Sequence, residues 1–222
     1  MADNSLFKPI KEMSTITDSV IVAFSGGKDS VVTMDLCKRY IKNVYVFFMY
    51  YVNDLSFQNR IVEWCERKYG VTVLRLPHFE VSEFINNGCY CVEDPNSPII
   101  KINDIYAYVR QYFGCEWIAA GERVADSMWR RAMIKQSGYI DHKRKRLYPV
   151  ANFNKSHILS YIKANKLKIS EEHDILGHSF NGLQAESLLA IKAKYPNDFE
   201  KIRKVFPFCM TEIKRMEFFR NE

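Results

Sequence analysis

Short, largely apolar stretches alternate along this chain with segments in which apolar residues recur at helical spacing. The apolar stretches, which predict strands, lie at 20–24, 44–49, 71–76 and 115–120. The segments with helical spacing lie at 30–41, 55–69 and 103–113. The run at 44–49 is almost unbroken, which is typical of a parallel strand covered on both faces. The pattern therefore predicts an α/β protein with a doubly wound parallel sheet.

Details of the pattern predict where single elements end and which faces they bury. Gly70 follows the second predicted helix in the position that commonly ends a helix. In the third predicted helix the inward residues are expected to be Ile105, Tyr108, Val109 and Tyr112. Residues 1–18 are expected to form only a lead-in to the first strand. Ligands of such sheets bind outside the carboxyl ends of the strands, so chemistry is expected there.

The first predicted strand runs directly into Ser25-Gly26-Gly27-Lys28-Asp29-Ser30. Two glycines allow a tight turn in which successive N–H groups point into one concavity at a helix N-terminus, where a phosphate oxygen is favoured. Two hydroxyls and a lysine add donors and charge. The alternative is an ordinary helix start capped by Asp29 or Ser30, but such a cap needs neither the double glycine nor the lysine.

The loop fits neither a Walker A sequence nor the dinucleotide Gly-x-Gly-x-x-Gly turn. It resembles the Ser-Gly-Gly-x-Asp-Ser signature of the PP-loop ATP pyrophosphatases, the adenine nucleotide α-hydrolase superfamily, and matches all six positions. The resemblance implies a mainly parallel five-stranded sheet and cleavage of ATP between the α and β phosphates. It assigns the β and γ phosphates to Ser25, Gly26, Gly27, Asp29 and Ser30. It further implies that Asp29 holds Mg²⁺ and that Lys28 adds a supporting charge. Met49 is expected to line the adenine pocket, and the alternative is that it packs as an ordinary residue at the end of a strand.

A second motif follows the predicted strand at 115–120. It reads Gly-x-Arg-x-x-Asp-Ser-x-x-Arg, from Gly121 through Arg123, Asp126 and Ser127 to Arg130. It resembles the second motif of the phosphoadenosine phosphosulfate (PAPS) reductase-like branch. Glycine permits close backbone approach, and forked guanidinium donors match phosphate or sulfate. We expect a second anion grip here, with Asp126 orienting an arginine or helping to hold Mg²⁺, the alternative being a solvated helix with salt bridges.

The cysteines do not follow the pattern of a thiol-dependent reductase. Such reductases carry a nucleophilic cysteine in a Glu-Cys-Gly-Leu-His context near the C-terminus, whereas the only late cysteine here is Cys209, in an apolar setting. Cys89 and Cys91 form a Cys-x-Cys pair that could be half of a metal site or a redox pair, but no second pair follows at zinc-finger spacing. Reduced or buried thiols are the simpler interpretation.

Composition and charge indicate which kinds of partner the chain is expected to have. The chain has 222 residues, six irregularly spaced cysteines and a net charge of +6, with no apolar run of about 18 residues. We therefore expect a soluble, cytoplasmic protein with reduced thiols, no membrane partner and an anionic substrate. The run Lys143-Arg144-Lys145-Arg146 suits a nucleic-acid patch, but more often marks a solvated loop. We expect a mobile loop at the mouth of the active site.

The division expected is a nucleotide-binding α/β domain over 1–168 and a helical extension over 169–222. In the extension Phe206, Phe208, Phe218 and Phe219 are expected in the core, with a homo-oligomer contact as the alternative. The leading hypothesis is an enzyme that adenylates an unidentified acceptor and releases pyrophosphate. The alternatives are a thiol-dependent phosphoadenylyl-sulfate reductase and a nucleotide-binding accessory protein without turnover.

Overall fold

The computed structural model describes residues 5–177, 180 and 182–220. Its sheet has six strands in the order β3-β2-β1-β4-β6-β5. The strands are β1 (Ser19–Ala23), β2 (Asn43–Tyr50), β3 (Val73–Pro77), β4 (Ile118–Ala119), β5 (Ile140–Asp141) and β6 (Arg146–Leu147). The pairs β1–β2, β1–β4 and β4–β6 are parallel, and β5 is antiparallel to β6.

The sheet confirms the expected class and adds one strand to the expected five. The sequence pattern located four strands, and it located neither β5 nor β6, which have two residues each. The strand β5 lies at the edge of the sheet and joins β6 through a turn over 142–145. Only two residue pairs form this antiparallel ladder, Ile140 with Leu147 and Asp141 with Arg146. So short a strand gives no period-two hydrophobic pattern, which is why the sequence did not predict it.

Helices occupy most of the remaining chain. They are α1 (Lys8–Ile16), α2 (Lys28–Tyr40), α3 (Ser56–Tyr69), α4 (Phe79–Asn86), α5 (Ile102–Phe113), α6 (Met128–Ser137), α7 (Lys155–Ala164), α8 (Glu172–Leu176), α9 (Ala185–Lys194), α10 (Pro196–Val205) and α11 (Met210–Arg220). Gly70 follows α3 at φ +61°, as its position predicted. No helix in the described part of the chain is long and apolar enough to cross a membrane.

Two of the local predictions were wrong. Residues 1–18 are more than a lead-in, because α1 lies within them and fully buries Ile10 and Met13. In α5, Ile105 and Val109 are buried as expected, but Tyr108 and Tyr112 are largely exposed. Tyrosine has an apolar ring and a polar tip and is often accommodated at a surface, so its position in the pattern misled the assignment.

The chain forms two compact units. The first comprises Met1–Phe48, Val62–Leu74 and Tyr106–Ile169. Within it, Asp35 on α2 is almost fully buried and accepts hydrogen bonds from three neighbours, namely Arg39 (2.7 Å), Tyr69 (3.0 Å) and Tyr161 (2.7 Å). A buried carboxylate is tolerated only when paired in this way, so the network stabilises the packing of α2 against α7.

The second unit comprises Met49–Ile61, Arg75–Ile105 and Ser170–Glu222. Its core is an aromatic and aliphatic cluster that includes Tyr51, Phe57, Phe199 and Phe206. The carboxylate of Asp198, on α10, accepts hydrogen bonds from the backbone N–H (2.9 Å) and hydroxyl (2.6 Å) of Ser56 and so caps α3. Of the phenylalanines expected in the core, Phe206 is buried, Phe208 and Phe218 are exposed, and the Phe219 side chain lies outside the described residues.

Candidate functional site

The glycine loop connects the end of β1 to the start of α2. Gly26 has φ +74°, a left-handed conformation that glycine adopts without steric cost. Ser30 Oγ holds the turn closed, since it donates to the Gly27 carbonyl (2.9 Å) and accepts from the Ser25 N–H (3.2 Å). The Ser25 hydroxyl also donates to Ser30 Oγ (3.1 Å). The two serines thus brace a turn that the glycines make possible.

The start of α2 has no side-chain cap. Its N-cap residue is Gly27, so neither Asp29 nor Ser30 serves as the capping residue that the alternative interpretation required. The first N–H groups of any α-helix lack acceptors within the helix. Such groups, together with the helix dipole, favour an anion at this position. The loop therefore has the backbone geometry of a phosphate site.

Charged side chains converge on Asp29 from both motifs. Lys28 Nζ lies 2.9 Å from Asp29 Oδ2, and Arg123 Nε lies 3.0 Å from Asp29 Oδ1. Arg123 is buried, with 6% of its surface exposed, so this ion pair is shielded from water. The two motifs, almost a hundred residues apart in sequence, thus form one cluster.

The second motif is built around Asp126. Its carboxylate accepts from the backbone N–H of Arg123 (2.8 Å) and from the Arg123 guanidinium (2.6 Å), and Arg130 lies 3.5 Å away. Ser127 caps α6 by accepting from the Arg130 N–H (3.1 Å). Asp126 therefore orients Arg123, one of the two roles expected for it.

Gly121 brings the two motifs into backbone contact. A Cβ atom built on this residue would lie 3.0 Å from the Asp29 carbonyl carbon and 3.0 Å from the Ser30 nitrogen. Those distances are shorter than ordinary van der Waals contact, so only glycine allows β4 and the glycine loop to approach this closely.

The cluster retains hydrogen-bonding capacity for a ligand. Arg123 Nη1 is buried and has no hydrogen-bond partner among the described residues, and the same holds for Glu122 Oε2. A buried guanidinium donor without an acceptor is costly unless a ligand supplies one. The free donor and the uncapped N-terminus of α2 fit the phosphates of a nucleotide.

The same residues fit a bare Mg²⁺ less well. Both oxygens of Asp29 contact cations, so Asp29 would have to release Lys28 or Arg123 to ligate a metal. Within the described residues, no group of three His, Cys, Asp or Glu side chains could hold a metal ion. Because cations already contact both oxygens of Asp29, the arrangement favours an anionic ligand over a divalent cation.

Sequence reasoning missed a cluster of polar side chains around Arg146, which follows the second motif in the chain. The guanidinium of Arg146, on β6, lies 4.4 Å from the centre of the Tyr106 ring. Burial penalises its charge, but nearby Tyr106, Glu122 and Tyr148 more than offset this, so the pKa of Arg146 is raised. Burial is also the main cause of the raised pKa of Tyr148. The sequence places Arg146 in the basic run that is expected to be a solvated loop, whereas its contact with the Tyr106 ring shows that the side chain lies among these residues.

Other predicted positions are placed without forming part of the cluster. Met49 is half-buried near the end of β2, and its place in an adenine pocket stays a prediction. Cys209 is fully buried, which raises the pKa of its thiol. Cys89 and Cys91 are free thiols, the first exposed and the second partly buried. The basic run forms the turn between β5 and β6 together with the start of β6.

Comparison with known proteins supports the interpretation of the two motifs. The family model described as "Phosphoadenosine phosphosulfate reductase domain" matches residues 19–175. An uncharacterized protein of Methanocaldococcus jannaschii is 25% identical over 200 residues, which are 86% of this chain and 40% of that protein. The chain thus spans about two-fifths of the length of that relative.

Two solved structures share the fold. A phosphoadenylyl-sulfate reductase from Candida auris, in complex with phosphate, has a TM-score of 0.52 at 14% identity over 78% of this chain and 85% of that one. An FMN adenylyltransferase mutant from Candida glabrata has a TM-score of 0.53 at 14% identity over 77% of this chain and 59% of that one. These likenesses establish the adenine nucleotide α-hydrolase-like fold.

Proposed function

The chain belongs to the phosphoadenosine phosphosulfate reductase domain family, and we propose that it binds ATP and cleaves it between the α and β phosphates. In the proposed reaction an oxygen of the acceptor attacks the α-phosphorus. A new P–O bond forms to the acceptor, the bond to the β-phosphate oxygen breaks, and pyrophosphate leaves. The acceptor's proton passes to solvent. The products are an adenylylated acceptor and pyrophosphate.

One observation carries the proposal, namely the convergence of Arg123 and Gly121 on the glycine loop. A helix start with no side-chain cap lies next to a buried guanidinium whose Nη1 has no hydrogen-bond partner among the described residues. Both features favour negative charge, and they belong to different motifs joined by backbone contact at Gly121. Such an arrangement suits a ligand with several phosphates better than a single anion.

The roles of the loop follow from its geometry. We assign the β and γ phosphates to the N–H groups of Gly26, Gly27 and the first turn of α2, with Ser25 and Ser30 holding the turn in shape. Lys28 adds positive charge beside them. Donors fixed before the reaction stabilise the charge that develops on the leaving pyrophosphate at no cost in reorganisation.

The second motif is assigned to the α-phosphate. Arg123 is held by Asp29 and Asp126, so its unused Nη1 has a defined direction. Arg130 is half exposed at the start of α6 and offers a second guanidinium. Mg²⁺ that accompanies the nucleotide would neutralise phosphate charge, and we expect the phosphate oxygens to supply most of its ligands.

The buried state of Cys209 argues against the thiol-dependent alternative. A reductase needs a thiolate that can attack sulfur, and burial raises the pKa of this thiol. The rest of the described site contains no cysteine, since the nearest motif residues are serines, glycines and charged groups. FMN adenylyltransferase, which shares the fold, is named for transfer of an adenylyl group. This likeness is compatible with the proposed reaction class.

The direct test of the site is loss of ATP binding in Ser25→Ala/Gly27→Ala. The apo protein should fold, because Gly27 has φ −72°, a value that alanine also adopts. A ligand at 100 times its Kd stabilises the native state by about 2.7 kcal/mol, and the variant should lose this stabilisation. Thermal unfolding with and without ATP and Mg²⁺ measures it.

Ser160→Ala, an exposed serine on α7, is the matched control and should retain full protection by ATP. Equal protection of the double variant and the control would place the nucleotide elsewhere and refute the proposed site.

A further inference from the structure

Two large apolar side chains are largely exposed to solvent at the start of α6. Met128 is 84% exposed and Trp129 is 82% exposed. Tryptophan is normally well buried, and an exposed one beside another large apolar residue marks a surface that a partner covers. Neither residue takes part in the interactions described for the ATP site, although the same helix begins at Ser127 and carries Arg130.

Trp129 lines a groove of about 720 Å³. One wall belongs to α6 and includes Met133 and Gln136, and the other belongs to β5 and its turn and includes His142 and Lys143. This volume is in the range of sites that hold small molecules or single bases, and it is too small for a macromolecular helix. The groove therefore fits a flat group that can stack on the indole ring.

The positive charge of the chain is concentrated around this groove. Residues 130–146 contain seven Lys and Arg but one acidic residue, Asp141, whereas the rest of the chain contains 25 of each sign. The whole net charge of +6 thus comes from this segment. Asp141 is buried and bound by Arg144, so it presents little opposing charge.

Not every cation of the segment is free to bind a partner. Arg146 packs over Tyr106, and Lys145 lies near Glu116 and over the ring of Trp117. Lys143, in contrast, is exposed and has no ion pair among the described residues. Lys143 lines the groove on the wall formed by the turn, and Trp129 lines the wall formed by α6.

We propose that this groove binds single-stranded nucleic acid, with a base stacked on Trp129 and a phosphate held by Lys143. Exposed aromatic rings beside a basic groove are the combination that binds single strands, because every base has a π-face and every linkage a charge. Bases of a duplex are stacked on each other and cannot reach the indole. An acidic peptide would pair with the lysine but would gain nothing comparable from the tryptophan. The inference concerns binding alone and does not depend on ATP cleavage.

Fluorescence anisotropy of labelled oligonucleotides of about 12 residues tests the proposal, with dT and rU oligomers as separate arms and salt varied. Stacking of one base on an aromatic ring is worth enough that Trp129→Ala should weaken binding by about tenfold. The salt slope of this variant should not change. Lys143→Ala should reduce the slope of log K against log salt by about 0.7, which corresponds to one phosphate contact.

Lys163→Ala removes the same charge from an exposed position outside the groove and should change neither quantity appreciably. Circular dichroism checks that each variant is folded, which is expected because all the substituted side chains are exposed. Absence of oligonucleotide binding at low salt would overturn the proposal. So would unchanged affinity in Trp129→Ala, or equally effective competition by polyglutamate of matched charge, which would identify an acidic-peptide surface instead.

Discussion

Substitution of Gly121 by alanine isolates the contact that joins the two motifs. The added Cβ would lie 3.0 Å from backbone atoms of Asp29 and Ser30, whereas ordinary contacts lie at 3.4–4 Å. The loop or β4 must therefore move by at least about 0.4 Å. Backbone atoms cannot rotate away as a side chain can, so the displacement falls on the phosphate-binding turn itself.

The magnitude follows from the cost of overpacking. Forcing one extra methyl group into a packed region costs about 1–3 kcal/mol. If the strain is relieved by displacing the loop, the N–H groups lose their alignment, and ATP affinity should fall by about tenfold to a hundredfold. Isothermal titration of ATP in the presence of Mg²⁺ measures the change, and urea unfolding of the apo protein measures how much strain the fold retains.

Gly114→Ala supplies the control. That residue has φ +61° and nothing within 4 Å of a Cβ, so alanine there should cost about 1–2 kcal/mol of stability through backbone strain alone. Its ATP affinity should equal that of the unmodified chain. Wild-type ATP affinity in a folded Gly121→Ala would show that this contact does not shape the nucleotide site, and would refute the reasoning.

Two further predictions concern single buried groups. Cys209→Ser should leave pyrophosphate release from ATP within about twofold of the unmodified rate, because a buried thiol with a raised pKa is not a nucleophile; sulfite release from PAPS that disappears in this variant would instead establish the reductase reaction. Burial raises the pKa of Glu172 in the folded state, so the folded protein holds this proton more tightly than the unfolded chain, whose carboxyl titrates near about 4.3. The free energy of unfolding of the unmodified chain, relative to that of Glu172→Gln, should therefore fall as pH rises above that value. Urea unfolding between about pH 4 and 8 measures this difference. A difference that stays constant with pH would contradict the burial of Glu172.

The sequence predicted those parts of the fold that rest on long, regular patterns. The apolar run of β2 and the glycine that ends α3 are local signals, and both elements formed where expected. The strand β5 was missed because two residues carry no period, and its pairing with β6 depends on the sheet register. The helix α1 was missed because its stripe of Pro9, Ile10 and Met13 is short and precedes the first strand.

The candidate site could likewise be predicted from the sequence only in part. Both motifs could be identified from residue types and spacing, including the arginine partner of Asp126. That Asp29 would be shared between Lys28 and Arg123 could not be read from sequence, because the contact depends on how closely β4 approaches the loop. The exposure of Trp129 could not be predicted from the sequence either, since a tryptophan on a helix is expected to be buried.

The bond that breaks in ATP tests the central claim most directly. A loop that grips the β and γ phosphates as a leaving unit makes the α-phosphorus the reacting centre, whereas a Walker-type grip activates the γ-phosphate. Incubation of the chain with Mg²⁺ and ATP labelled at the α-phosphate, with water or candidate acceptors present, should yield pyrophosphate and label in AMP or an adenylylated acceptor. Label recovered as ADP, with release of inorganic phosphate, would contradict the account.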